Sequence, residues 1–185
     1  MKTFSTMLDL GTVAPDFSLK DTVSGKMISL ASQPEIRATL VMFICNHCPY
    51  VKLVNHELAK LAHDYLSKRI NIFAINSNDY VRYPDDSPEK MKQLAKDESF
   101  PFPYLIDESQ NIARAYHAVC TPDFFLFDNK LRLIYRGQLD DARPGNGIAV
   151  TGSSMRAALE SVLHNQPVSV EQKPSMGCNI KWRAD

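Results

Sequence analysis

The chain has 185 residues, of which 44% are hydrophobic, and this length and composition are typical of one globular domain spanning residues 1–185. Its 21 basic and 21 acidic residues cancel, so no overall field attracts nucleic acid or an anionic membrane as a partner. No stretch approaches the roughly 18 apolar residues of a membrane span, and the N-terminus lacks a sustained apolar signal segment, which predicts a cytoplasmic location.

The first clear element is an apolar run, Ala38 to Ile44, which predicts a buried strand. A helical pattern follows and continues to about Ser67, with apolar residues at three- and four-residue steps. Pro49 is compatible with this helix because it falls in the first turn, where its missing N–H would have no partner. A second apolar run, Ile70 to Ile75, predicts the next strand, so the three elements form a βαβ unit.

Strands and helices continue to alternate in the second half of the chain. A helix is expected to begin after Ser87 as N-cap and to end near Asp97. The later elements are a strand Pro103 to Ile106, a helix of about Ser109 to Tyr116, a hairpin of Phe124 to Phe127 and Leu131 to Tyr135 around Asp128 to Lys130, and a helix of about Ser153 to Asn165. Predicted loops are Ser77 to Asp86, Gly137 to Gly152 and the tail from Gln166. This order predicts an α/β fold with a central mixed sheet and helices on both faces.

A Cys-x-x-Cys unit, Cys45 to Cys48, lies where the first predicted strand meets the first helix. The unpaired N–H groups and the positive dipole end of a helix favour thiolate over thiol, so Cys45 is the predicted nucleophile. Cys48 would stand one turn along on the same side, close enough to resolve a mixed disulfide formed at Cys45. The predicted chemistry is therefore dithiol–disulfide exchange.

Other uses of this cysteine pair are less favoured. A structural zinc site needs a second ligand pair, whereas the remaining thiols, Cys120 and Cys178, are solitary. Four cysteines in a chain of this length do not make a disulfide scaffold. We therefore expect no metal and no cofactor at the site. A carrier or sensor of copper or zinc, using Cys45, Cys48 and His47, is kept as a third function because soft thiolates suit these metals.

The cysteine pair after a central strand, together with Thr121-Pro122 before the hairpin, resembles the thioredoxin superfamily. A narrower resemblance is to thioredoxin-like redoxins labelled AhpC/TSA or peroxiredoxin-like, and it spans essentially the whole chain. The segments that carry it are APDFSL (Ala14 to Leu19), FICNHCPYV (Phe43 to Val51), INSND (Ile75 to Asp79), YPDDSPEKM (Tyr83 to Met91), CTPDFFLFD (Cys120 to Asp128), YRGQLDDARPGNG (Tyr135 to Gly147) and GCNIKW (Gly177 to Trp182).

This resemblance implies a thioredoxin-like fold with an N-terminal extension and a C-terminal tail. It also implies a cis peptide at Thr121-Pro122 that faces the cysteine pair and hydrogen-bonds an extended substrate. The implied activity is that of a thiol-disulfide oxidoreductase, and the alternative is an antioxidant, thiol-dependent peroxidase. The expected partner is a protein or small-molecule disulfide or thiol, with thioredoxin or glutathione as candidate reductants.

Two departures from better-known relatives affect these expectations. When the Pro-x-x-x-Thr-x-x-Cys motif of peroxiredoxins is aligned so that its Cys matches Cys48, Val41 takes the Pro position and Cys45 takes the Thr position. The residues that peroxiredoxins use there are thus missing, which weakens the peroxidase alternative. Thioredoxin has a Trp before its first Cys and a buried carboxylate in the preceding strand. Here Ile44 precedes Cys45 and that strand carries no acid, so water, His47 or a residue of the long loop would have to move the proton.

Histidine and the two solitary cysteines complete the candidate chemistry. A cationic His47 beside a thiolate lowers the thiol pKa, so we predict an acidic Cys45. Cys120 is expected to point away from the pair as a buried, inert thiol, because side chains alternate along extended chain. Cys178 is either a resolving thiol or part of a segment that caps the sheet edge.

The two long loops hold the remaining candidate residues. Arg143 either approaches the site to bind a thiolate, a carboxylate or a peroxide, or pairs with Asp140 or Asp141 and orders its loop. The residues of the other loop could form the rim of a substrate site. The favoured interpretation is that they are exposed and have no role in the site. These residues are Asp79, Tyr80, Tyr83, Asp85 and Asp86.

Overall fold

The computed structural model describes residues 2–30 and 35–184. Its strands are β1 Lys2–Phe4, β2 Ser18–Asp21, β3 Met27–Ser29, β4 Ala38–Phe43, β5 Ile70–Asn76, β6 Tyr104–Ile106, β7 Cys120–Thr121, β8 Asp123–Asp128, β9 Leu133–Gly137 and β10 Met176–Asn179. Its α-helices are α1 Pro49–Tyr65, α2 Pro88–Asp97, α3 Asn111–Ala115 and α4 Ser153–Leu163, with short 3-10 helices at Leu66–Lys68 and Pro84–Asp86. None of the helices in these two ranges is long and apolar enough to cross a membrane.

Seven strands form the central sheet, in the order β3-β2-β6-β5-β4-β8-β9. Strand β5 pairs in parallel with β4 and β6, whereas β8 is antiparallel to β4 and β9 is antiparallel to β8. The predicted βαβ unit, mixed sheet and antiparallel hairpin are confirmed. A second, three-stranded sheet in the order β1-β10-β7 lies beside the carboxyl end of β4 and was not predicted.

The tail from Gln166, predicted to be a loop, contains β10, so that part of the prediction is wrong. Strand β10 has only four residues and includes a glycine, so it shows no alternating pattern of its own. It exists because β1 and β7 pair with it from both sides. Pairing between segments more than 50 residues apart leaves no local signal in the sequence.

Both faces of the central sheet are covered by helices, as predicted. Every residue of β4 is buried, and its side chains alternate between two apolar clusters. Leu40 and Met42 join one cluster with residues of α1, α2 and α4. Val41 and Phe43 join the other, which includes Ala113 of α3. Strand β4 and helix α1 are thus held rigidly in the core, and the segment that joins them is Ile44 to Cys48.

Candidate active site

Both sulfur atoms of the Cys-x-x-Cys unit lie against Thr121. The Cys45 Sγ is 3.1 Å from the Thr121 Oγ1, and the Cys48 Sγ is 3.3 Å from the Thr121 carbonyl oxygen, to which it donates when it carries its proton. The two thiols also hydrogen-bond to each other. The Thr121-Pro122 peptide is cis, as predicted. The fold therefore brings together the cysteine pair and the proline turn from positions more than 70 residues apart.

This site is closed to solvent in its reduced form. Cys45 is 1% exposed and Cys48 is fully buried, while Thr121 and Pro122 are also buried. All four cysteines of the chain are free thiols here. Because neither sulfur of the pair can be touched from outside, an external reactant needs either a local opening or another group that reaches the surface.

The acidic thiol of the pair is Cys48. The hydrogen bond donated by the Cys45 thiol lowers the pKa of Cys48 to about 5, although burial opposes the charged form. The thiol of Cys178 and the backbone N–H groups of Val51 and Cys178 also donate to this sulfur. Cys48 is the N-cap of α1, so its sulfur lies at the positive end of the helix dipole, which favours the thiolate.

The predicted acidic Cys45 is wrong. Its thiol donates to Cys48, it is buried, and the carboxylate of Asp86 lies nearby, so the pKa of Cys45 is raised well above its usual value. Cys45 precedes the helix by four positions, too far for the helix N–H groups to stabilise its charge. The negative charge of the reduced pair therefore belongs on Cys48.

Asp86 is the central polar residue that the sequence analysis missed. It was predicted to be exposed, but it is fully buried. Its carboxylate accepts hydrogen bonds from the Asn46 N–H at 2.7 Å and from His47 Nδ1 at 2.6 Å. The side-chain amides of Asn76 and Asn78 donate to it as well, at 3.3 and 2.9 Å. The short helix Pro84–Asp86 and the end of β5 thus fix the conformation of the segment between the two cysteines.

Hydrogen bonds keep the Asp86 carboxylate ionised despite its burial. Burial alone would raise the pKa of Asp86, but the donors His47, Asn78 and Asn46 outweigh it and lower the pKa below the usual value. A signal for this residue exists in the sequence, because INSND supplies two amide donors at the end of a buried strand. Their partner, however, lies in a different segment of the chain.

His47 is held between Asp86 and an aromatic ring. Its imidazole stacks on Tyr83, with ring centroids 5.5 Å apart and planes 11° from parallel. Cys45, His47 and Asp86 each have an atom that could bind a metal ion, and these three atoms lie within 4.8 Å of one another. The hydrogen bond between His47 and Asp86 accounts for their approach, and the donors around Asp86 already use the carboxylate.

The other candidate residues of the loop 77–86 were predicted to be exposed, and the structure confirms this for some of them only. Asp79 is buried, contrary to prediction, because its N–H donates to the Lys181 carbonyl and its carboxylate accepts from Val81. Asp85 is exposed, as predicted. Tyr80 is partly buried, and its hydroxyl donates to Glu108. The Asp79 end of the loop is therefore packed against the C-terminal segment, whereas residues 81–85, including Tyr83, are exposed as predicted.

Strand β10 occupies the edge of β7 that an extended substrate was expected to use. Cys178 lies opposite Thr121 in the antiparallel register, and Asn179 lies opposite Cys120. Residues 176–183, which we call the C-terminal strap, continue past the site. The Lys181 N–H donates to Asn78 Oδ1, and the Lys181 ammonium lies 5.7 Å above the Tyr83 ring. The predicted substrate-binding edge is thus filled by the chain itself.

The two solitary cysteines occupy different environments. Cys178 is half-buried and donates to Cys48 through both its thiol and its backbone N–H. Burial, followed by the charge and hydrogen bond of Cys48, raises the pKa of Cys178 to about 11. Cys120 is fully buried, as predicted, and burial raises its pKa strongly. Cys178 both caps the sheet, as one alternative predicted, and contacts the cysteine pair.

A glycine permits the close contact between β10 and β7. A Cβ atom added at Gly177 would lie 1.8 Å from the Thr121 carbonyl oxygen. We expect Gly177→Ala to push the strap away from β7, to lower the free energy of unfolding by about 1–3 kcal/mol, and to make Cys48 accessible to alkylation. Chemical denaturation and timed alkylation measure the two effects.

Gly145→Ala provides the control for this prediction. An added methyl group there meets no atom within 4 Å, but the backbone has a φ of +81°, so only backbone strain of about 1 kcal/mol is expected. Its Cys48 should stay as protected as in the wild type. Equal protection of Cys48 in both variants would show that the strap does not cover the site.

Arg143 orders its loop and does not contact the sulfur atoms. Its guanidinium donates to the carbonyl oxygens of Asp140 and Ala142 and to the Gln138 side chain, at 2.6–2.7 Å. The loop-ordering alternative is the one observed, although the partners are carbonyl and amide oxygens and not the two predicted carboxylates. Arg143 still lines a small cleft beside Pro122, so it lies next to the proline turn.

The chain is similar to one protein family and to several solved structures. Residues 10–136 match the model of the AhpC/TSA family. A comparison with curated proteins found no match.

Two solved structures are similar over almost the entire chain. An uncharacterized conserved protein from Geobacillus kaustophilus has 53% identity and a TM-score of 0.98, with 100% of this chain and 98% of that chain covered. A hypothetical protein from Sinorhizobium meliloti 1021 has 49% identity and a TM-score of 0.97, covering 99% and 100%.

A more distant likeness concerns the fold alone. The thioredoxin domain of a thiol-disulfide oxidoreductase from Bacteroides vulgatus shares 19% identity with a TM-score of 0.61, covering 72% of this chain and 91% of that chain. The central sheet with its cysteine pair at the β4–α1 junction is therefore a thioredoxin-like arrangement.

Proposed function

This chain belongs to the AhpC/TSA family, and we propose that it works there as a thiol-disulfide oxidoreductase whose redox couple is Cys45 and Cys48. The observation that carries the proposal is the contact of both sulfur atoms with Thr121, beside the cis proline. Two thiols that share a hydrogen bond, one of them acidic, need only a small sulfur movement to form a disulfide.

The environments of the two thiols assign their roles, and these roles reverse the sequence prediction. The Cys48 thiolate attacks one sulfur of a disulfide presented beside Thr121, and the other sulfur leaves as a thiolate. Cys45 then loses its proton and attacks the Cys48 sulfur, which releases the remaining half of the substrate. The products are a reduced substrate and a Cys45–Cys48 disulfide, so two electrons have passed from protein to substrate.

The proton of Cys45 has a nearby acceptor in this scheme. The Asp86 carboxylate and the His47 ring both lie within 4.8 Å of the Cys45 sulfur. The Asp86 carboxylate already accepts four hydrogen bonds, so the His47 ring is the base that the strand before the cysteine pair lacks. A thiol with a raised pKa needs such a base at the moment it resolves the mixed disulfide.

The low pKa of Cys48 can be observed directly. We expect the ultraviolet absorbance of thiolate to titrate with a midpoint near pH 5 in the reduced protein, as the lowered pKa of Cys48 requires. Cys45→Ser should move the midpoint upward, because the Cys45 thiol makes the largest contribution to the lowered pKa, and Cys48→Ser should remove the transition. A midpoint at or above the free thiol value of about 8.5 in the wild type would contradict the assignment.

Turnover tests the proposed activity. With dithiothreitol as reductant, the protein should accelerate the reduction of protein or small-molecule disulfides above the rate of dithiothreitol alone. Cys120→Ser should leave this rate unchanged, because Cys120 is buried and its pKa is strongly raised. A rate equal to the background for both substrate classes would refute the oxidoreductase proposal. Thioredoxin and glutathione are then the candidate reductants to compare.

A thiol-dependent peroxidase is the second candidate, and the acidity of Cys48 favours it. An acidic cysteine at a helix N-terminus is the type of thiol that hydroperoxides oxidise to sulfenic acid. Arg143 lies away from the sulfur atoms and Cys45 replaces the expected threonine, so the usual peroxide-orienting groups are not at this thiol. Rapid, catalytic consumption of hydroperoxide with a sulfenic acid at Cys48 would support this function, and slow stoichiometric loss would remove it.

A further inference from the structure

The proposed couple has no direct access to solvent. Cys45 is 1% exposed and Cys48 is fully buried, because the C-terminal strap covers them. The strap is hydrogen-bonded to β1 on one side and β7 on the other. Its outer half is tied down as well, since the Gln110 side chain donates to the Lys181 carbonyl oxygen and accepts from the Arg183 N–H. A substrate that reacts with the pair directly would have to displace this strand first.

The thiol that lies between the couple and the surface is Cys178. It is half-buried, whereas the other three cysteines are buried. In the register of β10 it stands opposite Thr121, where an extended substrate would present its sulfur. Both its thiol and its N–H donate to the Cys48 sulfur. The strap therefore holds a cysteine in the position of a bound substrate, in contact with the acidic thiol.

We propose that Cys178 is a relay thiol, which forms a disulfide with Cys48 and passes electrons between the buried couple and disulfides in solution. The proposal rests on the oxidoreductase function above and adds the route by which its substrates reach the site. It requires no displacement of β10, because the reaction outside takes place on the strap.

Each step of the relay is an exchange in which one S–S bond forms and one breaks. The Cys178 thiol attacks an external disulfide, forms a mixed disulfide, and gives its proton to the external thiolate that leaves. The Cys48 thiolate attacks the Cys178 sulfur, which forms the Cys48–Cys178 disulfide and releases the second external thiolate. The Cys45 thiolate attacks Cys48, and Cys178 leaves as a thiolate and takes up the proton that Cys45 lost. The external disulfide has gained two electrons, and the Cys45–Cys48 pair has supplied them.

The charge of Cys48 makes this relay sensitive to the state of the couple. After burial, the interaction with Cys48 is the next cause of the raised pKa of Cys178. Oxidation of Cys48 to a disulfide removes its charge and therefore this contribution. Cys178 then ionises more readily, which favours its attack on the Cys45–Cys48 disulfide when an external thiol drives the reverse reaction.

The first test stops the relay midway. In Cys45→Ser, the disulfide between Cys48 and Cys178 cannot be resolved, so treatment with oxidised glutathione should trap it. Mass spectrometry of an unreduced digest should find a peptide pair joined through Cys48 and Cys178, with two hydrogens lost. Only glutathione adducts on Cys48, or two free thiols at these positions, would overturn the proposal.

The second test locates the entry point. With Cys48→Ser, oxidised glutathione should form its adduct on Cys178, and an adduct on Cys45 instead would contradict the relay. With Cys178→Ser, the Cys45–Cys48 disulfide should form about tenfold more slowly or slower still, because the accessible thiol is lost. Cys120→Ser, the same substitution at the buried cysteine, should match the wild type.

The two proposals fail in different ways. If Cys178→Ser forms the Cys45–Cys48 disulfide at the wild-type rate, the relay is refuted and the oxidoreductase function stands. The proposed function itself is refuted if the Cys45–Cys48 disulfide fails to form at any ratio of oxidised to reduced glutathione, both in the wild type and in every variant that keeps these two cysteines.

Discussion

Cys48→Ser is expected to reduce catalysed disulfide exchange to the rate of the uncatalysed reaction. The substitution removes the thiolate on which two thiols and two backbone N–H groups converge, and a serine hydroxyl does not ionise at neutral pH. Loss of a nucleophile typically costs several orders of magnitude in turnover. The dithiothreitol-driven reduction of a protein disulfide measures the effect.

Cys45→Ser separates this result from a general loss of reactivity. It retains Cys48, so the first exchange can proceed while resolution cannot, and with a disulfide substrate and no dithiothreitol the protein should accumulate as a disulfide of Cys48. Cys120→Ser keeps all three thiols that meet at Thr121 and should turn over normally. Wild-type turnover in Cys48→Ser would move the nucleophile to another residue and refute the assigned roles.

Asp86→Ala is expected to lower the free energy of unfolding by about 3 kcal/mol or more, because several buried hydrogen-bond donors lose their common acceptor. The variant leaves His47, the Asn46 N–H and two asparagine amides without their acceptor inside the protein. Urea denaturation of the reduced protein measures the change. The pKa of Cys45 should also fall in this variant, because the nearby carboxylate helps to raise it.

Asp85→Ala is the matched control, since Asp85 is the exposed neighbour in the same short helix. Its effect should stay within about 0.5 kcal/mol. The pH dependence has a definite sign: the pKa of Asp86 is lowered in the folded state, so its stabilisation is present above the unfolded value of about 3.9 and disappears as the pH falls through the folded value. Equal stabilities of the two variants would show that the Asp86 network contributes nothing.

The sequence alone predicted the position of the cysteine pair and five of the seven strands of the central sheet, but not the short strands β2 and β3. The run Ala38 to Ile44 is buried on both faces and the helix after Cys48 has a clear apolar stripe, so local patterns determine both elements. The Thr121-Pro122 turn carries a recognisable pair of residues before a predicted hairpin. Its cis geometry and its contact with both thiols agree with the resemblance to thioredoxin-like redoxins.

The electrostatics of the site could not be predicted in the same way. Asp86 looks like an exposed loop acid in the sequence, and its burial depends on donors from Asn46, Asn76 and Asn78 in two other segments. The acidity of Cys48 similarly depends on Cys178, which lies 130 positions further along the chain. The strap that brings Cys178 to the site has no periodic pattern, because its partners on both sides determine its structure.

A redox titration of the wild-type protein tests the central claim most directly. The protein is equilibrated with a series of ratios of oxidised to reduced glutathione, alkylated after denaturation, and digested without reduction. The fraction of Cys45 joined to Cys48 should rise with the oxidised share along a single two-electron curve and fall again when the ratio is reversed. If both cysteines are recovered as alkylated thiols at every ratio, the two sulfur atoms are not a redox couple.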